Sequence, residues 1–521
     1  MNDCHPYALA LYDFFSRRLN LSSRWKELLL LLSELLKAQE DGHACLKLSL
    51  KQRALLERPA LTRLYLPPGE APLVLEEDRL YFQRLWRYEE TLACGIRKLL
   101  RGVRQLDEEK LKLLAEAGEL DPSQREAVRR AAQGNFAILS GGPGTGKTTT
   151  ALKLIAGLAW QEPNRRIALA APTGKAAQRL KESVVRGLPQ LPLPEAVKAA
   201  LPTQAFTLHR LLGVREEDLR ARYDAQNPLP YEIVVVDEAS MVDLALSAKL
   251  VQALPPQGSL YLLGDRDQLA SVEAGSVLAD LCDGAPSHTF RLTQTHRFPA
   301  HLRALAEAVK AGNTAEFTKL LGPDYLPVRE DSLWQALEAG FSPYFRAVKA
   351  RAGPQELLAQ LARFRALCAH RRGPLGSEWL NRELSLRFRR KGWIAARGDY
   401  YPGRPILITA NAPELELFNG DVGVVWEDKV CFEDGRCFAP ARLPAHETCL
   451  AMSVHKAQGS EFEKVLLVLP TKPSEVLSRE LVYTAITRAK SCVQCFGPQT
   501  VLNYALSRCV QRQSGLRYKL I

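Results

Sequence analysis

The sequence predicts an α/β protein built on two doubly wound parallel sheets. Three observations carry that expectation. Short apolar runs alternate with helical stretches from residue 120 onward. A glycine-rich turn joins one of those runs to a helix at Gly141–Lys147. A second set of apolar runs appears after residue 291, interrupted by a stretch of β character.

Residues 1–110 read as a helical N-terminal unit. "RWKELLLLLSELLKAQ" spaces Trp25, Leu28, Leu29, Leu32, Leu35 and Leu36 at helical intervals, and Leu30 and Leu31 widen the apolar face toward a bundle or a partner. Residues 111–290 read as a first α/β unit. Its strands are "FAILSG", "RIALAAPT", "EIVVVDEAS" and "GSLYLLGDRDQL", with a small proline-rich insertion over about 183–205. Residues 291–521 read as a second unit with strands "RALCAH", "KVLLVLP" and "VQCFG". Within it, "NGD" and "EDG" mark hairpin turns of a small β-barrel inserted over about 398–447.

Composition limits the function classes. With 521 residues and 46% hydrophobic content the chain suits several folded domains. An apolar run such as Leu28–Leu32 is far too short to cross a bilayer, and "MNDCHPYALALYDFF" lacks a basic leader, so a cytoplasmic location is expected. Among the eleven cysteines the close C-x-x-C pair, Cys492 and Cys495, alternates across a strand; buried free thiols are the expectation there, not a metal site. Net charge is +12, and Phe341–Arg404 holds 14 Lys/Arg against 4 Asp/Glu, a local +10 that suits a polyanion partner or solvated helix faces.

The chemistry centres on Gly141, Gly142, Pro143, Gly144, Thr145, Gly146, Lys147 and Thr148, which fit G-x-x-x-x-G-K-[ST]. Glycines let backbone N–H groups turn toward phosphate oxygens, and the following helix points its positive end at the same charge. Lys147 reaches the β and γ phosphates of ATP, and Thr148 supplies a hydroxyl for Mg²⁺. Asp237 and Glu238 end the apolar run "IVVV", where ligands of open α/β sheets bind; Asp237 is a second Mg²⁺ ligand or a helix N-cap, and Glu238 orients the attacking water. Gln268 follows the next strand as a γ-phosphate sensor, beside Asp265 and Asp267, which also suit a turn. Gln124 reads an adenine edge or shares a helix start whose capping box pairs Ser123 with Glu126. Arg297 and Arg488, in the second unit, suit arginine fingers aimed at a nucleotide held by the first. The E-x-K at Glu108–Lys110 reads as a charged helix face, so no nuclease site is expected.

The order of "LDPSQREAV", "GGPGTGKTTT", "LAAPTGKAAQRL", "FTLHRLLG", "VVVDEASMVD", "GDRDQLASVEAGSVL", "THRF", "NGDVGVV", "MSVHKAQGSEFEKVLLVLP" and "LVYTAITRAK" resembles the superfamily 1 helicases. Within them it resembles the RecD family, the alpha subunits of RecBCD (exodeoxyribonuclease V). The resemblance implies two RecA-like motor domains and an SH3-like insertion. It implies ATP-driven 5′→3′ travel on single-stranded DNA from the 5′ tail of a duplex end. RecB-like and RecC-like partners and a place in recombinational repair of double-strand breaks follow from the same likeness. It adds Gly459 and Glu461 as a link between ATP and DNA, and sets Thr173, His209, Asn419 and His455 near the strand. His296 stands where many relatives carry Tyr. A helicase acting alone and a DNA-bound clamp are the alternatives.

Overall fold

The computed structural model describes residues 5–19, 26–59, 61–65, 71–116, 120–214, 220–271, 273–295, 299–326, 328–394 and 398–520. Two parallel sheets organise them. The first is six-stranded, in the order Ala205–Thr207, Ile167–Ala171, Ile233–Val236, Ser259–Gly264, Phe136–Gly141, Thr289–Leu292. Its side chains alternate between two apolar layers. Ile138, Ala168, Val234 and Val236 face one layer, and Ala137, Leu139, Leu169 and Val235 face the other. Both faces are covered, which is why these strands read as continuous apolar runs. The helix Lys147–Gln161 fills the second layer and is buried from Thr150 to Ala159. The chain leaves Phe136–Gly141 toward one edge and returns past it to Thr289–Leu292, so the glycine loop stands at a switch point of the sheet.

The second sheet is five-stranded and parallel: Tyr325–Leu326, Ala489–Phe496, Phe462–Val468, Phe364–Cys368, Ala451–Ser453. The inserted stretch forms a five-stranded antiparallel sheet from Pro405–Ile408 to His446–Thr448. Cys431 and Cys437, opposite each other on its strands, are disulfide-bonded. Cys495 is buried and Cys492 half-buried, both free. No helix among the described residues is long and apolar enough to cross a membrane.

The N-terminal unit departs from the sequence expectations at its strands and at Leu30, while its leucine helix takes the bundle alternative. The N-terminal unit is not all helix: Leu46–Lys47, Arg79–Phe82 and Leu73–Glu76 form a three-stranded antiparallel sheet. Its leucine helix, Lys26–Glu40, buries Leu28, Leu31, Leu32 and Leu35 inside its own bundle and leaves Leu30 exposed. The last N-terminal helix, Gln83–Leu100, puts Leu92, Ala93, Ile96 and Leu99 into the core of the first sheet.

The C-terminal end also leaves its own unit. After the helix Gln499–Ser507 the chain crosses back, and Arg512 donates to the carbonyls of Glu273 (2.6 Å) and Gly275 (2.9 Å). Gln513 accepts at its side chain from Lys47 N (2.7 Å), and its own N donates to His43 Nδ1 (2.7 Å). Ser514 Oγ and Gly515 N donate to the buried Glu89 carboxylate at 2.8 and 3.1 Å. Leu516 and Leu520 end in the first-sheet core.

Candidate nucleotide site and interdomain cleft

The glycine loop is shaped by close approach as much as by conformation. Gly146 sits at φ +75°, and a Cβ there would stand 2.3 Å from Gln124 Nε2. A Cβ on Gly141 would stand 2.7 Å from the Leu292 carbonyl. Within the loop, Thr145 Oγ1 donates to Gly142 O at 2.8 Å. Lys147 Nζ donates to Gly141 O at 2.7 Å and Gly142 O at 3.1 Å, so the ammonium lies folded over the loop. Thr148 occupies the first turn of the helix behind it. Pro143 and Gly144 complete the turn, Gly144 with φ +71°.

Two carboxylates face this loop from neighbouring strand ends. Asp237 follows Ile233–Val236; burial first and the Glu238 charge second push its pKa up to about 6, while Lys147 opposes them. Its Oδ1 accepts from Glu238 N at 2.8 Å. Glu238 itself is in the left-handed region, φ 51° and ψ 40°, a conformation a side chain adopts at a cost of about 1–3 kcal/mol. The N-cap of the next α-helix is Asp243, whose side chain accepts from Leu246 N. Asp265 follows Ser259–Gly264, is buried, and burial raises its pKa against the pull of Lys147. Its Oδ2 accepts from Gln268 Nε2 (3.2 Å) and from the Tyr483 hydroxyl (2.9 Å).

Gln124 lies beneath the loop, and both ends of its amide are engaged: Nε2 donates to Thr145 O (2.9 Å), and Oε1 accepts from Asp121 N (3.0 Å). The capping box there is Asp121 with Gln124, not Ser123 with Glu126; Glu126 pairs with Arg129 instead. Aspartate two residues earlier places its carboxylate on the free amides of the first turn. Arg488 is buried and donates within the second unit, to Thr484 O (3.2 Å), Ser460 O (3.4 Å) and Thr487 Oγ1 (3.3 Å). Gly459, at φ +68°, begins the loop that offers that Ser460 carbonyl, and Glu461 turns outward to Lys490 at 3.7 Å. Arg297 and His296 lie outside the described residues.

The second unit meets the first through the loop that follows Ser259–Gly264. Leu269 of that loop enters the apolar core of the second unit. Its N donates to Thr484 Oγ1 (2.9 Å), and its O accepts from Gln458 Nε2 (2.9 Å). Lys310 pairs with Asp267 at 3.1 Å.

A cleft of about 2390 Å³ opens between the first unit, the inserted sheet and the helix Gln83–Leu100. Gly174, Lys175 and His209 line it from the first unit, and Phe418 from the insertion. Thr173 caps the helix Gly174–Gly187 at its edge, accepting from Ala176 N at 3.2 Å, and Asn419 is exposed beside Phe418. His455 does not line this cleft with His209; it is half-buried near Arg512, with burial lowering its pKa. The first-unit wall carries Lys175, Arg179, Lys181 and Arg210 beside Glu182, Asp243 and Glu273, while the insertion wall carries Glu416, Asp421, Glu433 and Asp434 beside Arg436. The basic surplus of residues 341–404 is partly neutralised elsewhere. Arg387 and Lys391 pair with Glu338, just before that window, Arg371 pairs with Glu378 and Glu447, and Arg365 is buried against Cys449 O.

Two family models match: "AAA domain" over residues 119–326 and "UvrD-like helicase C-terminal domain" over residues 448–493. The RecBCD enzyme subunit RecD of Mycolicibacterium smegmatis is 41% identical over 469 residues, covering 87% of this chain and 84% of that relative. The chain belongs to the RecD family. The RecD subunit of Haemophilus influenzae is 35% identical, covering 86% of this chain and 81% of its own. The ATP-dependent RecD2 DNA helicase of Deinococcus radiodurans is 33% identical, and 57% of its length is covered. A crystal structure of Bacteroides Pif1 bound to single-stranded DNA aligns over 74% of this chain and 94% of its own, with TM-score 0.44 and 15% identity.

Tyr483 and Asp265 are the residues of this RecD-family chain that sequence reasoning left without a part in the site. Asp265 reads as a turn former. Tyr483 sits within the apolar helix Arg479–Ile486, where a tyrosine reads as core. The signal available was its place five residues before Arg488 in "VYTAITRAK".

Proposed function

We propose that this RecD-family chain is an ATP-hydrolysing motor that travels 5′→3′ on single-stranded DNA. Its setting is a RecBCD-type helicase–nuclease with RecB-like and RecC-like partners, which processes double-strand breaks from the 5′ tail of a duplex end. The observation that carries the reading is that a glycine loop of the first unit lies against side chains of the second, so that chemistry at the loop acts on the contact between two units.

The residues fit a Mg²⁺–ATP complex. Asp237, half-buried, and Asp265, buried, carry charge opposed to that of Lys147, as expected where a cation and phosphates normally share the site. Thr148 and Asp237 would hold the metal, which supplies charge neutralisation on the phosphates when bound. Lys147 swings from the Gly141 and Gly142 carbonyls to the β and γ phosphates. Glu238 orients the attacking water, Gln268 senses the γ-phosphate, and Arg297 and Arg488 stabilise charge from the second unit. Gln124 reads adenine with both ends of its amide only by exchanging its bonds to Thr145 O and Asp121 N. The strand lies in the cleft along Thr173, His209 and Asn419, with His455 as a further strand-side residue from the second unit and the Gly459–Glu461 loop linking nucleotide to DNA. The inserted sheet serves as an SH3-like barrel. Identity to RecD subunits over most of their length favours the subunit reading over a helicase acting alone.

Lys147→Gln tests the site. It removes the counter-ion of the developing phosphate charge and should cut DNA-stimulated ATP turnover by about 10²–10³-fold, with the fold intact by circular dichroism. Turnover within a few-fold of wild type would sink the assignment.

A further inference from the structure

The contact between the units contains one hydroxyl aimed at the phosphate loop. Tyr483 belongs to the helix Arg479–Ile486 of the second unit and is 2% exposed. Its hydroxyl donates to Asp265 Oδ2 at 2.9 Å. Burial, with the Asp265 charge next, holds the phenol well above its ordinary pKa, so the hydroxyl is the donor. The same oxygen would stand 3.1 Å from a Cβ built on Gly142. Asp265 Oδ2 also accepts the Gln268 amide at 3.2 Å, and Asp265 Oδ1 accepts Asp267 N at 3.1 Å. Lys310 lies over the Tyr483 ring, 5.0 Å from its centroid, and pairs with Asp267. The Asp265 carboxylate therefore receives two donors from its own loop and one from the opposite unit, and the Gln268 amide and the Tyr483 hydroxyl share the same oxygen, Oδ2.

We propose that Tyr483 is a positioning residue of the ATP site. Its hydroxyl, brought by the second unit, fixes the Asp265 carboxylate and through it the Gln268 amide, so the site reaches its working geometry only when the two units are apposed. The proposal rests on the nucleotide reading of the glycine loop. The physical reason is the sharing of one oxygen. Without the phenol donor, Asp265 Oδ2 keeps the Gln268 bond alone, and the buried carboxylate, still anchored at Oδ1 by Asp267 N, is less restrained against the pull of Lys147. The Gln268 amide then loses its fixed direction. Nucleotide affinity, set by backbone N–H groups and Lys147, is left in place.

The test is a double-mutant cycle on the full chain, purified with whatever partners accompany it, using ATP turnover with saturating oligo(dT) as readout. Tyr483→Phe should lower kcat about tenfold, the scale of one hydrogen bond to a charged group, with KM for ATP within about twofold and the melting midpoint unchanged. Asp265→Ala should lower kcat at least as much, and the double variant should be no worse than Asp265→Ala alone. Wild-type kcat in Tyr483→Phe would overturn the proposal. So would effects that multiply in the double variant, or a loss of kcat matched by a lower melting midpoint. Lys147→Gln run in parallel separates the two claims. If it keeps turnover, the nucleotide reading falls and this proposal with it; if it loses turnover while Tyr483→Phe does not, this proposal falls alone.

Discussion

Beside the C-terminal crossing, which ends with Leu516 and Leu520 in its core, the first sheet is joined to its neighbours by two contacts of different chemistry. On one side the helix Gln83–Leu100 packs on Leu244–Ala253 through apolar contact. Leu92, Ala93, Ile96 and Leu99 share a core with Val234, Val236 and Leu260, and a Cβ on Gly95 would stand 1.8 Å from Val251 Cγ1. On the other side the second unit is held through the loop after Ser259–Gly264. Leu269 enters the opposite core, and most of what surrounds it is polar: Thr484 and Gln458 on its backbone, Tyr483 on Asp265, and Lys310 on Asp267. A jigsaw of apolar side chains resists small displacements, because each void forfeits packing. Hydrogen bonds of about 1 kcal/mol each can be broken and remade. The apolar joint fixes the N-terminal unit to the first sheet, and the polar joint is the one whose contacts we propose are remade with nucleotide.

The largest effect should come from the polar side. Arg488→Ala should lower turnover by about 10³-fold, the scale of an arginine finger, while nucleotide binding changes little because the glycine loop is untouched. Arg488 donates inside its own unit in this structure, to Thr484, Ser460 and Thr487, so reaching a nucleotide means leaving those partners. Equal loss of binding and turnover would make the residue structural and would break the contrast between the joints.

On the apolar side the effect should fall on stability instead. Gly95→Val overpacks the contact with Val251 and should cost about 2–3 kcal/mol in chemical denaturation. Unchanged stability would mean that this joint also yields.

How much of this was legible follows the same division. The central strands of both parallel sheets are readable because burial on both faces makes them continuous apolar runs, as in Ile233–Val236, while the short strands Ala205–Thr207, Thr289–Leu292, Tyr325–Leu326 and Ala451–Ser453 are not. The glycine loop is readable because its turn needs Gly at fixed positions. The joints are not. Gly95 lies mid-helix with no local reason to be glycine, and the reason, Val251, is far along the chain. The C-terminal crossing, "QRQSGLRYKL", has no periodicity, and its meaning comes from Glu89 and Glu273, residues of other units. The strands Leu73–Glu76 and Arg79–Phe82 are four residues each, too short to outweigh the helices around them.

That C-terminal crossing gives a smaller, pH-dependent effect. Burial pushes Asp280 up to about 7, with Ser514 opposing and the Glu89 charge adding. Unfolded, the carboxyl titrates near 3.8. The folded state therefore holds the proton over a range where the unfolded chain has released it, and stability from this group falls as pH rises from about 4 through about 7. Asp280→Asn should raise the melting midpoint at pH 8 and leave it nearly unchanged at pH 4. A variant less stable at pH 8 would mean that the carboxylate is satisfied where it sits.

The smallest expected effect concerns partners. The leucine helix is largely interior, and among the described residues of the N-terminal unit the exposed large apolar side chains are Leu50, Val103, Leu30 and a group on the first helix and its start, Tyr7, Leu9 and Phe14. Leu9→Glu with Phe14→Glu should weaken co-purification with RecB-like and RecC-like subunits several-fold, without affecting the melting midpoint. Unchanged recovery would move the docking role to another surface.

The central claim, that ATP chemistry at the polar joint drives travel along a single strand, is tested most directly by the ATP turnover rate as a function of single-stranded DNA length. A motor spends more of its time moving as the lattice grows, so the account predicts a rate that rises with length well beyond the footprint and then levels off. A rate that is the same on every strand long enough to fill the cleft would contradict it, and would leave a clamp that hydrolyses ATP in place.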